Sequence, residues 1–168
     1  MTPAVLELER DGIPECAAAA ARVLRSGGIV FAPTDTIYGL LLRYSDRQAV
    51  ERLYALKGRD ADRRLLALVP DARTAAALAA VPLPAFAARL WPGPLTLAFP
   101  VAGSHPLGWE TQAVRVPASP WLAALLEAVG EPLYAPSANP QGLAPARTPE
   151  EGRRSEEHTS ELQSPYVI

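Results

Sequence analysis

Four side chains able to hydrogen-bond, Thr34, Asp35, Thr36 and Tyr38, follow within five residues of Pro33, where an apolar run stops. Proline cannot donate to a sheet ladder, so the strand before it ends there or reaches an edge. The polar group then stands at a strand's carboxyl end, where open α/β sheets bind ligands. Lys57 lies seven residues after Val50 on the helical face of Val50, Leu53 and Tyr54, so it emerges from a buried stripe at the last turn. Gly58 stops that helix and Arg59 follows. An ammonium and a guanidinium two residues apart can converge on one polyanion, as point charge and fork. The same pair also fits a solvated helix end whose cations favour the dipole.

Two further segments carry polar chemistry. Pro136–Ser137–Ala138–Asn139 follows an expected strand and precedes Pro140–Gln141–Gly142. A hydroxyl and an amide one residue apart on a turn present donors to phosphate oxygens or a nucleotide, and they equally form a plain Asx/Ser turn. Arg115 stands among apolar neighbours in Ala113–Val114–Arg115–Val116–Pro117 and needs a partner or ligand unless its strand face is exposed. Trp91–Pro92–Gly93–Pro94–Leu95–Thr96 reads as a rigid turn with an aromatic anchor, structural rather than catalytic.

Other chemistries find no footing. No GxxxxGK[ST] loop and no GxGxxG fingerprint follows a strand, so ATP would be held by scattered cations and polar turns. His105 and His158 have no cysteine or carboxylate cluster around them, which leaves no metal site and no Ser-His-Asp or Cys-His arrangement. Cys16, the single cysteine, lies in an Ala-rich helical stretch and reads as a small core residue.

The elements that must position these residues follow from periodicity and punctuation. Val5, Leu6 and Leu8 suggest a short first strand. Pro14 opens a helix that Gly27 stops. Residues 29–32 and 38–42 read as strands around the polar turn, and Asp46 as the N-cap of the helix that ends at Lys57. Residues 65–69 read as a buried strand and Asp71 as the next cap. The Ala-rich stretches 72–80 and 85–91 read as helices split by Pro82 and Pro84. Strands are expected over 95–101, 113–116 and 133–135, with a helix over 120–129. This interleaving makes the class α/β.

With 168 residues the chain suits one domain with a real core. Its 16 Lys+Arg against 18 Asp+Glu give a net charge of −2, which argues against nucleic-acid binding by bulk charge and leaves a local basic face open. No apolar stretch reaches the length of a membrane span, and the N-terminus carries acidic residues where a signal peptide needs basic ones. The expectation is a cytoplasmic protein with no membrane partner. The tail from Arg154 has no core pattern, and residues 154–164 resemble the conceptual translation of a sequencing adapter. The expected organisation is therefore a domain over 1–153, incomplete at its C-terminus, and a non-native tail over 154–168.

In their order, Pro33–Thr34–Asp35–Thr36–Ile37–Tyr38–Gly39–Leu40, Lys57–Gly58–Arg59, Trp91–Pro92–Gly93–Pro94–Leu95–Thr96, Val114–Arg115–Val116–Pro117 and Pro136–Ser137–Ala138–Asn139 with Gly142 resemble the YrdC-like family, the threonylcarbamoyl-AMP synthases of tRNA modification. The resemblance runs over roughly residues 10 to 150. It implies a single α/β domain, a twisted mixed sheet flanked by helices with a concave ligand cleft. It also implies a nucleotidyltransferase that condenses L-threonine, bicarbonate and ATP into threonylcarbamoyl-AMP and pyrophosphate. Carried over by motif, Lys57, Arg59, Ser137 and Asn139 match the KxR and SxN signature that handles the ATP phosphates, with Lys57 and Arg59 as the catalytic pair. Thr34, Thr36, Tyr38 and Arg115 match positions on the threonine and carboxylate side. ATP is a substrate, with Mg2+ expected beside it and no tightly bound cofactor. A downstream threonylcarbamoyl transferase complex is the implied partner, and contact with tRNA or double-stranded RNA stays open.

Three departures from the family pattern stand out. Asp60, Arg63 and Arg64 precede Leu65 where the family has Pro after the arginine and Lys or Asn before Pro-Leu; Arg63 keeps a donor there and joins the expected ATP contacts. Ala135 replaces a polar residue of some members. A later Ser- and Arg-containing segment that closes over the nucleotide is missing. Two other readings remain: the carbamoyl-transfer domain of a hydrogenase maturation protein, which uses carbamoyl phosphate, and a non-catalytic double-stranded RNA-binding module.

Overall fold

A computed structural model of the chain describes residues 4–57, 64–138 and 166–167. Its elements run β1 (Ala4–Val5), α1 (Leu8–Asp11), α2 (Ile13–Arg25), β2 (Val30–Pro33), β3 (Tyr38–Arg43), α3 (Arg47–Lys57) and β4 (Leu66–Leu68). They continue with α4 (Ala72–Leu78), α5 (Ala87–Leu90), β5 (Leu97–Pro100), β6 (Thr111–Arg115), α6 (Pro120–Val129), β7 (Leu133–Tyr134) and β8 (Tyr166–Val167). The strands form one mixed sheet in the order β1-β8-β2-β3-β7-β4-β6-β5. β4 and β6 pair parallel, whereas β2–β3, β3–β7, β4–β7 and β5–β6 pair antiparallel. The mixed α/β sheet flanked by helices is the fold class expected from the sequence.

The apolar runs of β2 and β3 are continuous because both faces of the sheet are covered. Alternate side chains go opposite ways. Phe31, Leu40 and Leu42 join the core that holds Val50 and Leu53 of α3, while Val30, Ala32 and Leu41 join Leu24 of α2 and Leu125 of α6. Burying each large aliphatic side chain contributes about 1.5–3 kcal/mol, so this double-sided core is what fixes the strand ends. The caps fall where expected. Asp46 Oδ1 accepts the Ala49 N–H at 2.9 Å, and Asp71 Oδ1 accepts that of Thr74 at 2.6 Å. Gly27, with φ +82°, turns the chain out of α2 into β2. Cys16 is buried in the core, as read from its surroundings.

Two element expectations change. Leu8 opens a four-residue helix instead of extending the first strand. The Asp11 carboxylate accepts the Glu7 N–H at 2.8 Å, and Arg10 pairs with Glu7, so local charged contacts curl the segment. The expected 85–91 helix contracts to Ala87–Leu90, because Trp91 leaves it with extended backbone at φ −103°, ψ 139°. β8, in the segment read as a non-native tail, pairs parallel with β1 and with β2.

Candidate functional site

Thr34 organises the turn that joins β2 to β3. Its hydroxyl donates to the Ile37 carbonyl at 2.5 Å and accepts the N–H groups of Thr36 and Ile37, both at 3.2 Å. A threonine at a strand end can bond back to its own turn this way, so the loop is folded before any ligand arrives. The turn projects Asp35 and Thr36 toward the carboxyl end of β6.

There they meet Arg115. Arg115 Nη1 lies 3.3 Å from Asp35 Oδ1 and donates to Thr36 Oγ1 at 3.1 Å, while Nε donates to Thr96 Oγ1 at 3.1 Å. The antiparallel register Leu97↔Val114 carries over by one position to set Thr96 opposite Arg115 on the same face. The Arg115 and Asp35 side chains are 14% and 6% exposed, so the partner expected for a charge in an apolar strand is present.

On the other side, the chain after β7 crosses the strand ends. Leu40 N–H donates to the Pro136 carbonyl at 2.9 Å and Ala138 N–H to that of Tyr38 at 3.0 Å. Gly39 allows this approach, because a Cβ there would stand 3.2 Å from the Pro136 oxygen and 3.3 Å from Thr34 Cγ2. Lys57, the last residue of α3, donates from Nζ to the Ser137 carbonyl at 2.5 Å. The helix end and the turn after β7 are thus joined, as their placement at element boundaries suggested.

A cavity of about 300 Å3 lies between these segments, lined by Thr34, Asp35, Thr36, Arg64, Leu66, Leu68, Arg115, Pro136 and Ser137 among others. Two guanidiniums, one carboxylate and a set of hydroxyls on an apolar floor can hold a small charged ligand by directed polar contacts. The structure therefore brings Thr34, Thr36, Arg115 and Ser137 to one cavity, with Lys57 beside it. Tyr38 stands apart from this lining, its ring stacked on Phe31 at 5.0 Å. Arg59, Arg63 and Asn139 lie outside the described residues. Among the described residues, no group of three or more His, Cys, Asp or Glu is placed to hold a metal ion.

Sequence reasoning missed three polar members of this site: Asp35 and Thr96 belong to turns expected from the sequence but carry no role there, and Arg64 stands there only as a departure from the family pattern. The Thr96 contact depends on strand register, which no local pattern displays. The Trp91 turn is structural as expected, with its indole N–H donating to the Leu95 carbonyl at 2.7 Å.

A second polar cluster centres on Gln112, three residues before Arg115 on β6. His105 Nε2 stands 2.9 Å from Gln112 Oε1 and 3.3 Å from the Tyr134 hydroxyl, and its Nδ1 accepts the Leu107 N–H at 3.0 Å. Gln112 Nε2 donates to the Leu65 and Ala113 carbonyls at 2.8 and 2.7 Å. Burial holds the His105 pKa below its ordinary value, against the Gln112 hydrogen bond, with Arg64 adding to the lowering. Burial also pushes the Tyr44 phenol up to about 12 and raises that of Tyr134.

Comparison with known proteins places this geometry in context. Residues 22–162 match the Sua5_yciO_yrdC family, described as "Telomere recombination". The chain is 42% identical over 143 residues to a threonylcarbamoyl-AMP synthase from Halorhodospira halophila, covering 80% of this chain and 74% of that protein. A double variant of Sua5 from Pyrococcus abyssi superposes with a TM-score of 0.86 at 31% identity, covering 100% of this chain and 49% of that one. Sua5 from the same organism complexed with L-threonine gives a TM-score of 0.80 at 32% identity, covering 90% of this chain and 46% of that one. The chain thus spans less than half the length of both Sua5 structures.

Proposed function

This chain belongs to the Sua5/YciO/YrdC family, and from that premise we propose that it is a threonylcarbamoyl-AMP synthase condensing L-threonine, bicarbonate and ATP. The products are threonylcarbamoyl-AMP, pyrophosphate and water. The observation that carries the reading is the convergence of Arg115 and Ser137 on one cavity, with Lys57 at the Ser137 carbonyl. Arg115, Thr34 and Thr36 take the amino-acid side, with Tyr38 behind the turn. Lys57 and Ser137, with Arg59, Arg63 and Asn139, take the nucleotide phosphates.

The chemistry suits these residue types. The amine forms an N–C bond to the carbon of bicarbonate, a carbamate oxygen attacks the α-phosphate, and pyrophosphate leaves. Such a step needs positioning and stabilisation of growing negative charge more than a side-chain nucleophile. Lysine and arginine supply that stabilisation, and Mg2+ would arrive with the ATP phosphates. The product then passes to a threonylcarbamoyl transferase complex acting on tRNA in the cytoplasm. No helix among the described residues is long and apolar enough to cross a membrane.

Pyrophosphate release that requires both threonine and bicarbonate, with the mixed anhydride seen by mass spectrometry, tests the reading. Release without threonine would overturn it, and AMP exchange driven by carbamoyl phosphate would redirect it to hydrogenase maturation. The organisation into a 1–153 domain and a non-native tail belongs to the same proposal. Deleting residues 154–168 should leave the melting temperature unchanged, and a fall of several degrees would give β8 a supporting role.

A further inference from the structure

Asp35 carries the one buried side-chain oxygen or nitrogen without a hydrogen-bond partner among the described residues, its Oδ2. The side chain is 6% exposed and lines the cavity. Leaving a buried acceptor unmet is costly, more so for a charged group, and folded proteins seldom do it without cause. The neighbours offer no relief. The Thr34 hydroxyl spends its hydrogen on the Ile37 carbonyl, the Thr36 hydroxyl gives its own to Thr34 Oγ1 at 3.3 Å, and the Arg115 Nε is taken by Thr96. Arg115 Nη1 itself reaches only Oδ1.

We propose that Asp35 is the ammonium acceptor of the amino-acid subsite: Oδ2 takes an N–H of the substrate's α-amino group while Arg115 takes the α-carboxylate. This rests on the reading of the cavity as the threonine site and adds to it the group that recognises the nitrogen. Charge matching selects the ligand. A simple carboxylate drawn to Arg115 would meet the Asp35 charge, and a simple cation drawn to Asp35 would meet the guanidinium. A zwitterion with ammonium and carboxylate on adjacent carbons presents the opposite sign to each partner. The carboxylate is acceptor-only, so it serves the ammonium before reaction and the remaining N–H of the carbamate after it.

Calorimetric binding of L-threonine and of (R)-3-hydroxybutyrate, which lacks only the amino group, tests the assignment in the presence of a non-hydrolysable ATP analogue. The wild-type chain should prefer threonine by about 100-fold, since a site built to bond an N–H rejects the analogue without it. Asp35→Asn retains the oxygen facing Arg115 and loses the charge. It should cut the preference to about fivefold or less, by weakening threonine and by relieving the repulsion that the Asp35 charge exerts on 3-hydroxybutyrate. Equal loss of both ligands would make Asp35 only a support for Arg115, and an unchanged preference would assign Oδ2 to water or an ion. Either result overturns the inference and leaves the threonine reading standing. Should Asp35→Asn fail to fold, the wild-type comparison decides alone: equal affinity for the two ligands overturns the proposal and a strong preference supports it. A folded wild-type chain that binds no threonine overturns both.

Discussion

Gln112 and Arg115 lie three residues apart on β6 and project to opposite faces, and the polar clusters around them differ in one respect. Around Gln112 the bonding is complete: both amide hydrogens have carbonyl acceptors, the amide oxygen meets His105, and the other His105 nitrogen accepts a backbone N–H. Aromatic rings close over it, with Trp109 stacked on His105 at 4.9 Å and Tyr44 edge-on at 5.2 Å. Around Arg115 one acceptor, Asp35 Oδ2, is left without a donor and faces a cavity. A fully satisfied buried network holds a fold in one arrangement, whereas an incomplete one beside open space is a seat for something else.

Substitutions can break that contrast. The largest effect is expected from Arg115→Lys, which keeps the charge and loses the fork. Threonine-dependent pyrophosphate release should fall about 100-fold or more while unfolding free energy stays within about 1 kcal/mol. Near wild-type turnover would make the Arg115 corner as structural as the other. Next comes Gln112→Ala, which strands His105 and two carbonyls. It should lower stability in urea titration by about 2–3 kcal/mol, with kcat and KM of the folded protein within about threefold of wild type. A large loss of kcat at intact stability would place this cluster in the reaction.

Thr96→Val sharpens the comparison further. It removes one hydroxyl from Arg115 and should raise KM for threonine about fivefold, near the net worth of one hydrogen bond. An equal rise in KM for ATP would mean that Thr96 does not act through the amino-acid side.

The smallest effect concerns acid. Because the fold holds His105 neutral, the unfolded chain takes up its proton first as pH falls. The contribution is whole above about pH 6.5 and is lost below it as pH approaches the lowered folded value, at no more than about 1.4 kcal/mol per pH unit. The groups facing this imidazole are Gln112, Tyr44, Tyr134, Trp109 and Arg64. The tyrosines stay protonated through that range, so His105→Gln should flatten the slope. A slope that survives the substitution would assign the acid sensitivity elsewhere.

Much of this was legible in the sequence where the cause is local. Asp46 and Asp71 cap helices as their position before apolar periodicity indicates, Pro120 opens α6, and Arg115 in an apolar strand called for a partner or a ligand unless exposed, and has a partner. The partner's identity was not legible, because Asp35 lies 80 residues away and meets Arg115 only once β2, β3 and β6 share a sheet. The Gln112 cluster escaped notice for the same reason, since its members come from four parts of the chain. Leu8 misled because its alternation with Leu6 imitates a strand while charged side chains around it close a helical turn.

Gly39 sets a length. It stands between the Thr34 side chain and the Pro136 carbonyl, so the turn proposed for the amino acid and the turn proposed for the phosphates are held apart by a residue with no side chain. In the proposed reaction the threonine nitrogen and the α-phosphorus must be bridged by one carbon and one oxygen of bicarbonate, so the gap between the two half-sites has to match one small unit. A methyl group at this position would act as a shim, moving both halves at once by a few tenths of an ångström. The chain therefore cannot tune either half-site at this point without resetting the other, and the spacing of the two substrates is in effect a backbone dimension.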